Sequence, residues 1–268
     1  MNWRLLAKDI MEFNRGSLSY RLDKVAGRKW QRAVEYGRRS LIRFRDVRRI
    51  PVIINCRDRL SCLQTLVEWL EAAEMTNIVL LDNNSSYPPL LEFYAQSKYP
   101  VVRLGNNLGF QALWRSGLYK KYRYDYYIYT DPDVVPIAEC PDDVVEHFLS
   151  ILWSHPDIQK VGIGLKVDDL PDCYAPKQEV LNWESSFWRV EISPDVWDAR
   201  VDTTFALYRP LVKGGAWLNA CRTGYPYLAR HLPWYEDSSH PTEELLYYQA
   251  HLQSPVHWSS KQSAGDAV

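Results

Sequence analysis

Apolar residues along the middle of the chain fall in short unbroken runs that alternate with stretches of a longer period. PVIIN (51–55), NIVLLD (77–82), VVRL (101–104), YYIYT (126–130) and VGIGLKV (161–167) are too short for helices and rich in β-branched or aromatic residues. Such runs predict strands buried on both faces. Between the first two, apolar positions 63, 66, 67 and 70 recur at helical spacing. Ser61 and Gln64 stand where a capping box begins a helix. SSYPPLLEFYAQS (85–97), with prolines tolerated in a first turn, GFQALWRSGLYKK (109–121) and PDDVVEHFLSILWSH (141–155) predict three more helices. Strand and helix alternate every 25 residues or so, which is the pitch of parallel strands joined by right-handed crossovers. The expectation is an α/β, doubly wound, mostly parallel sheet.

Ligands of such sheets sit beyond the carboxyl ends of the strands. The polar residues follow that rule. Asn55-Cys56-Arg57-Asp58 follow the first strand, Asp82-Asn83-Asn84-Ser85 the second, Gly105-Asn106-Asn107-Leu108-Gly109 the third, and Asp131-Pro132-Asp133 the fourth. Each alone is an ordinary turn composition. Together on one edge they outline a cleft.

Asp131 and Asp133, one residue apart at a strand end, can hold a hard cation such as Mg²⁺ or Mn²⁺ through oxygen ligands. A nucleotide diphosphate bound there needs that cation to screen its charge and to stabilise it as a leaving group. The competing reading is a type I turn, with Asp at its start and Pro next.

Charge changes the picture at the N-terminus. Net charge is only -1, yet residues 1–50 hold 14 Lys and Arg against 5 Asp and Glu, and the remainder is correspondingly acidic. NWRLLAKDIMEF (2–13) places Trp3, Leu6, Ile10 and Phe13 near one helical face, and cations are spread among apolar residues up to position 49. Residues 1–50 therefore predict a basic helical segment. It either lies on an anionic membrane surface or packs on the domain with a solvated basic face. Nucleic acid is not expected as a partner, since no recognition module backs the basic arm. Five cysteines with no CxxC fit free thiols in a reducing compartment. Neither a signal-peptide h-region nor a membrane span of roughly 20 apolar residues is read. The expected location is cytoplasmic, peripheral at the inner face of the membrane.

VIINCRDR, IVLLDNNSS, RLGNNLGF and YIYTDPDVVP, in that order, resemble the nucleotide-sugar-binding half of GT-A glycosyltransferases, especially those similar to family 2. The resemblance covers about residues 50–167 and implies a Rossmann-like fold and a nucleotide-sugar donor. It implies that Arg57 and Asp58 lie near the nucleotide, that Asp82 contacts the base with help from Asn84, and that Asn106, Asn107 and Gly109 lie along nucleotide and sugar. Asp131 would reach the ribose or the metal, and Asp133 would hold the metal. Gly109 would let backbone approach the ligand closely.

The chain then divides into a basic helical segment (1–50), a nucleotide-sugar-binding half (51–167), an acceptor-binding half (168–258) and a disordered tail (259–268). Inverting transfer to a hydroxyl needs a general base. Asp202, just before the strand-like run TTFALYRP, stands first. Glu236 and Asp237 resemble the acidic pair of family 2, and Glu184 is third. His231 is a further metal-ligand candidate. Trp183, Trp188, Trp234 and Tyr235 are candidates for a sugar platform. TEELLYYQAHL (242–252) predicts a helix capped by Thr242.

The function expected is metal-dependent transfer of a sugar from a nucleotide-diphosphate sugar to a glycan or lipid-linked acceptor in cell-surface polysaccharide biosynthesis. One alternative is a non-catalytic carbohydrate-binding or scaffold protein on a GT-A fold. Another is a sugar-phosphate nucleotidyltransferase, against which NCRDRLS lacks the Gly-rich loop that reaction uses.

Overall fold

The computed structural model describes residues 27–39, 46–202, 204–214 and 218–252. The chain divides into two compact units, residues 1–45 and 46–268. In the first, residues 27–39 form a helix, α1. The helix read at 2–13 and the tail at 259–268 lie outside the described residues.

The second unit runs β1 (Val52–Cys56), α2 (Leu60–Ala72), β2 (Ile78–Asp82), α3 (Pro88–Gln96), β3 (Val101–Arg103), α4 (Ala112–Arg115), α5 (Tyr119–Tyr122), β4 (Tyr127–Thr130), β5 (Val134–Pro136) and α6 (Val144–Ser154). It continues with β6 (Lys160–Gly162), β7 (Gly164–Leu165), α7 (Lys177–Glu184), β8 (Glu191–Ser193), β9 (Val196–Asp198), β10 (Ala206–Tyr208), β11 (Ala220–Thr223), β12 (Leu228–His231) and α8 (Glu243–Ala250).

Nine strands form one sheet in the order β3-β2-β1-β4-β10-β6-β11-β9-β8. Only β9 and β10 run against the other strands. The architecture is mixed α/β with a large, mostly parallel central sheet. A smaller sheet, β5-β12-β7, stands beside it.

The parallel half follows from composition. Every residue of β1, β2 and β4 is buried, as continuous apolar runs require. The tyrosines preceding the aspartate pair are core residues whose hydroxyls find partners. Tyr127 stacks on Tyr208 with centroids 5.0 Å apart and donates to the Val212 carbonyl at 2.8 Å. Tyr129 donates to the Phe110 carbonyl at 2.9 Å.

Three expectations change. No side chain of its own caps α2; Glu244 does so from α8. The helix read at 109–121 is broken into a 3-10 turn, α4 and α5, with Gly117 at φ 79° between the two helices. The run 161–167 is two strands in different sheets, and β10 inserts antiparallel between β4 and β6. Among the described residues no helix is long and apolar enough to cross a membrane, and all five cysteines are free.

Candidate active site at the carboxyl edge

Asp131 follows β4 directly, and Pro132 and Asp133 form the turn into β5. The turn reading and the ligand reading thus describe one segment, the bend between β4 and β5. Asp131 Oδ1 accepts from Asn55 Nδ2 at 3.4 Å, at the end of the adjacent strand β1.

β5 pairs antiparallel with β12, with His231 opposite Val134. Leu232 N donates to the Asp133 carbonyl at 2.8 Å. This register brings His231 Nε2 to 3.6 Å from Asp133 Oδ2 across a long stretch of sequence. Asp133 Oδ1 and His231 Nδ1 are buried with no hydrogen-bond partner among the described residues. Burial lowers the His231 pKa, with Arg59 adding to the shift and Asp133 opposing it, so the neutral imidazole with its lone pair is favoured.

These two groups fit a hard or borderline divalent cation that takes its remaining ligands from phosphate and water. Among the described residues no three His, Cys, Asp or Glu groups converge as a metal-holding set.

The first three strand ends are largely braced against one another. Asp58, at φ 51°, accepts from the backbone N–H groups of Ser86 at 2.6 Å and Tyr87 at 2.8 Å, and so holds the entry to α3. Asp82 accepts from Ser85 N at 2.9 Å and from Arg103 Nε at 3.1 Å. Asn84 is half-buried at φ 67°. Asn106 is exposed, and Asn107 accepts from Gly109 N at 2.9 Å. Gly109 sits at φ 69°, so its lack of a side chain serves the left-handed backbone; a Cβ there would meet nothing closer than 3.6 Å. Asn83, absent from the expected set, ties the second and third strand ends: it donates to the Gly109 carbonyl at 3.0 Å and accepts from Leu108 N at 2.7 Å.

Arg59 is the other residue that sequence reading missed. Its guanidinium is buried, hydrogen-bonded to Glu236, 3.7 Å from Glu244 and 5.5 Å from the Tyr248 ring. Nothing in NCRDRLS distinguishes Arg59 from Arg57, because its partners come from the far end of the chain. Arg57 donates to the His251 carbonyl at 2.6 Å.

The acceptor-half carboxylates separate by environment. Glu184 is not an available base. It forms a buried ion pair with Arg222 at 2.6 Å, and burial raises its pKa against the pull of that cation. Glu236 is tied to Arg59, with burial raising its pKa while Arg59 opposes. Hydrogen bonds from Ser239 and His240 hold the Asp237 pKa well below the usual range, which makes it a weak base. Asp202 has an exposed side chain; its backbone carbonyl accepts from Lys160 Nζ at 3.1 Å.

Of the aromatic candidates, Trp234 is core, packed on His231 with centroids 4.6 Å apart. Tyr235 spends its hydroxyl on Asp169 at 2.6 Å. Trp188 packs edge-on against Trp197, and Trp183 is half exposed.

No protein-family model and no curated protein matches the chain. Among solved structures it is similar to residues 1–349 of S. aureus TarS, with 13% identity and a TM-score of 0.36 over 60% of this chain and 47% of that one. It thus spans about half of that TarS fragment. It is also similar to apo-UDP-glucose pyrophosphorylase, with 9% identity and a TM-score of 0.38 over 76% of this chain and 100% of the other.

Proposed function

We propose that the protein is a metal-dependent, inverting glycosyltransferase that moves a sugar from a nucleotide-diphosphate sugar to a glycan or lipid-linked acceptor. The observation that carries the reading is the pairing of Asp133 with His231 at the carboxyl edge, with an unpartnered carboxylate oxygen between two sheets.

Asp133 and His231 would hold Mg²⁺ or Mn²⁺, with Asp131 alongside toward the ribose. The cation, when bound, screens the diphosphate and stabilises its charge as it leaves. Arg57 supplies positive charge at the same edge. Arg103, pinned by Asp82 yet largely solvent-exposed, is placed to read a base together with Asn84. Asp202 serves as the base that takes the acceptor proton, because the other three carboxylates are bound to cations or held strongly acidic.

The test is a thermal-shift screen of UDP-, GDP-, dTDP- and CMP-sugars, with and without Mn²⁺. A ligand at 100 times Kd stabilises the folded state by about 2.7 kcal/mol. One nucleotide class should raise Tm with Mn²⁺ only, and Asp133→Ala should remove that shift. An undiminished Mn²⁺-dependent shift in the variant overturns the metal assignment. Absence of any shift favours a non-catalytic binding role.

A further inference from the structure

The helix α8 lies across the strand ends and is fastened there without a core of its own. None of its residues is buried. Glu244 Oε2 accepts from the backbone N–H groups of Leu60 at 3.1 Å and Ser61 at 3.0 Å, and Oε1 from Ser61 Oγ at 2.7 Å. The Tyr247 ring packs on Tyr87 at 4.9 Å, and its hydroxyl reaches Ser86 Oγ at 3.2 Å. Arg59 lies against the Tyr248 ring, and Arg57 holds the His251 carbonyl. Every one of these partners belongs to the loop after β1, the first turn of α2 or the loop after β2.

The chemistry of the attachment is that of an occupied anion cradle. The first N–H groups of α2 and the Ser61 hydroxyl converge on one carboxylate. Arg59 Nε faces the same carboxylate at 3.7 Å and has no hydrogen-bond partner among the described residues. A phosphate arriving at this edge needs the same donors. Glu244 and a phosphate cannot share them without bringing two anions into contact.

We infer that α8 is a displaceable strap: Glu244 holds the start of α2 until a phosphate-bearing ligand takes those donors and lifts the helix. The strap regulates access to the edge and stands whether or not sugar transfer is the reaction. An eight-residue helix with no buried side chain is marginal by itself, so its seat depends on these few contacts.

Hydrogen exchange of the full chain tests this, with inorganic pyrophosphate as probe in EDTA so that metal binding is kept apart. Glu244→Ala should speed exchange across 243–250 and at Ser61 by about fivefold, the scale of a lost helix cap, and should tighten pyrophosphate binding several-fold. Glu243→Ala, which changes charge without touching α2, should do neither. Pyrophosphate added to the native chain should speed exchange in 243–250 and slow it at Ser61. Unchanged exchange in Glu244→Ala overturns the strap. So does protection of 243–250 by pyrophosphate, which would make α8 a cover closed by ligand. Pyrophosphate binding with strap release but no transfer of any sugar would retain the strap and remove the transferase reading.

Discussion

Asp133 and His231 show how a residue's chemistry is set by what lies across from it. Burial favours neutral His231, so its folded-state pKa lies below the unfolded value near 6.5. The unfolded chain then binds the extra proton first, and stability is complete above pH 6.5 and falls as pH drops through the folded-state value. His147 is shifted the same way, chiefly by burial. Unfolding followed by urea from pH 8 to pH 5 should show this loss, and His231→Gln should flatten part of it. The other instructive residue is Glu184. Its side chain is 3% exposed and that of Arg222 4%, so removing one charge leaves the other buried alone. Glu184→Ala should cost about 3–5 kcal/mol in denaturant unfolding, whereas Glu184→Met with Arg222→Leu should recover most of it. A mechanistic base would instead lose turnover at unchanged stability. If Asp202 is that base, as proposed, Asp202→Asn should keep donor binding and reduce kcat by roughly 10²–10⁴-fold, as for loss of a general base.

Elements were legible where local pattern decides and illegible where distant pairing does. β1, β2 and β4 could be read because a strand buried on both faces must be continuously apolar. The joint between β6 and β7 could not, since Gly162-Ile163-Gly164 reads as one strand interior. Its physical reason is crowding. A Cβ on Gly162 would sit 2.4 Å from a Val201 methyl, and one on Gly164 would sit 2.1 Å from the Thr223 carbonyl. Gly164→Ala should therefore destabilise by about 1–3 kcal/mol through overpacking, measured as a lower urea midpoint at constant m. Likewise Ser61 looked like a cap because its own sequence fits one, while the carboxylate that fills the role arrives on α8. The Thr242 cap of α8 was readable, and its hydroxyl does accept from Leu245 N at 3.2 Å. The four strand-end motifs were readable as one edge. Their division into bracing groups (Asp58, Asp82, Asn83) and groups with spare valence (Asp133, His231) depends on contacts no single motif encodes.

For the whole molecule, the parallel pairing of β1 to β4 follows from the alternation of helix and strand, but the antiparallel β10 and the second sheet do not. Both are assembled from segments whose patterns are short and mixed. The charge asymmetry is a whole-molecule property as well. α1 carries Arg28, Lys29, Arg32, Arg38 and Arg39, and exposes Trp30 and Tyr36. If this segment meets an anionic bilayer, sedimentation with phosphatidylserine vesicles should be lost on deleting residues 1–48 and should weaken steeply with salt.

The small sheet has a consequence for the order in which the proposed cation site is completed during synthesis. Asp133 emerges from the ribosome well before His231, and only the pairing of β5 with β12 brings them together. A nascent chain that has completed the parallel strands β1 to β4 thus has half of the proposed cation grip. The other half of that grip arrives only when β12 has been made and has paired with β5.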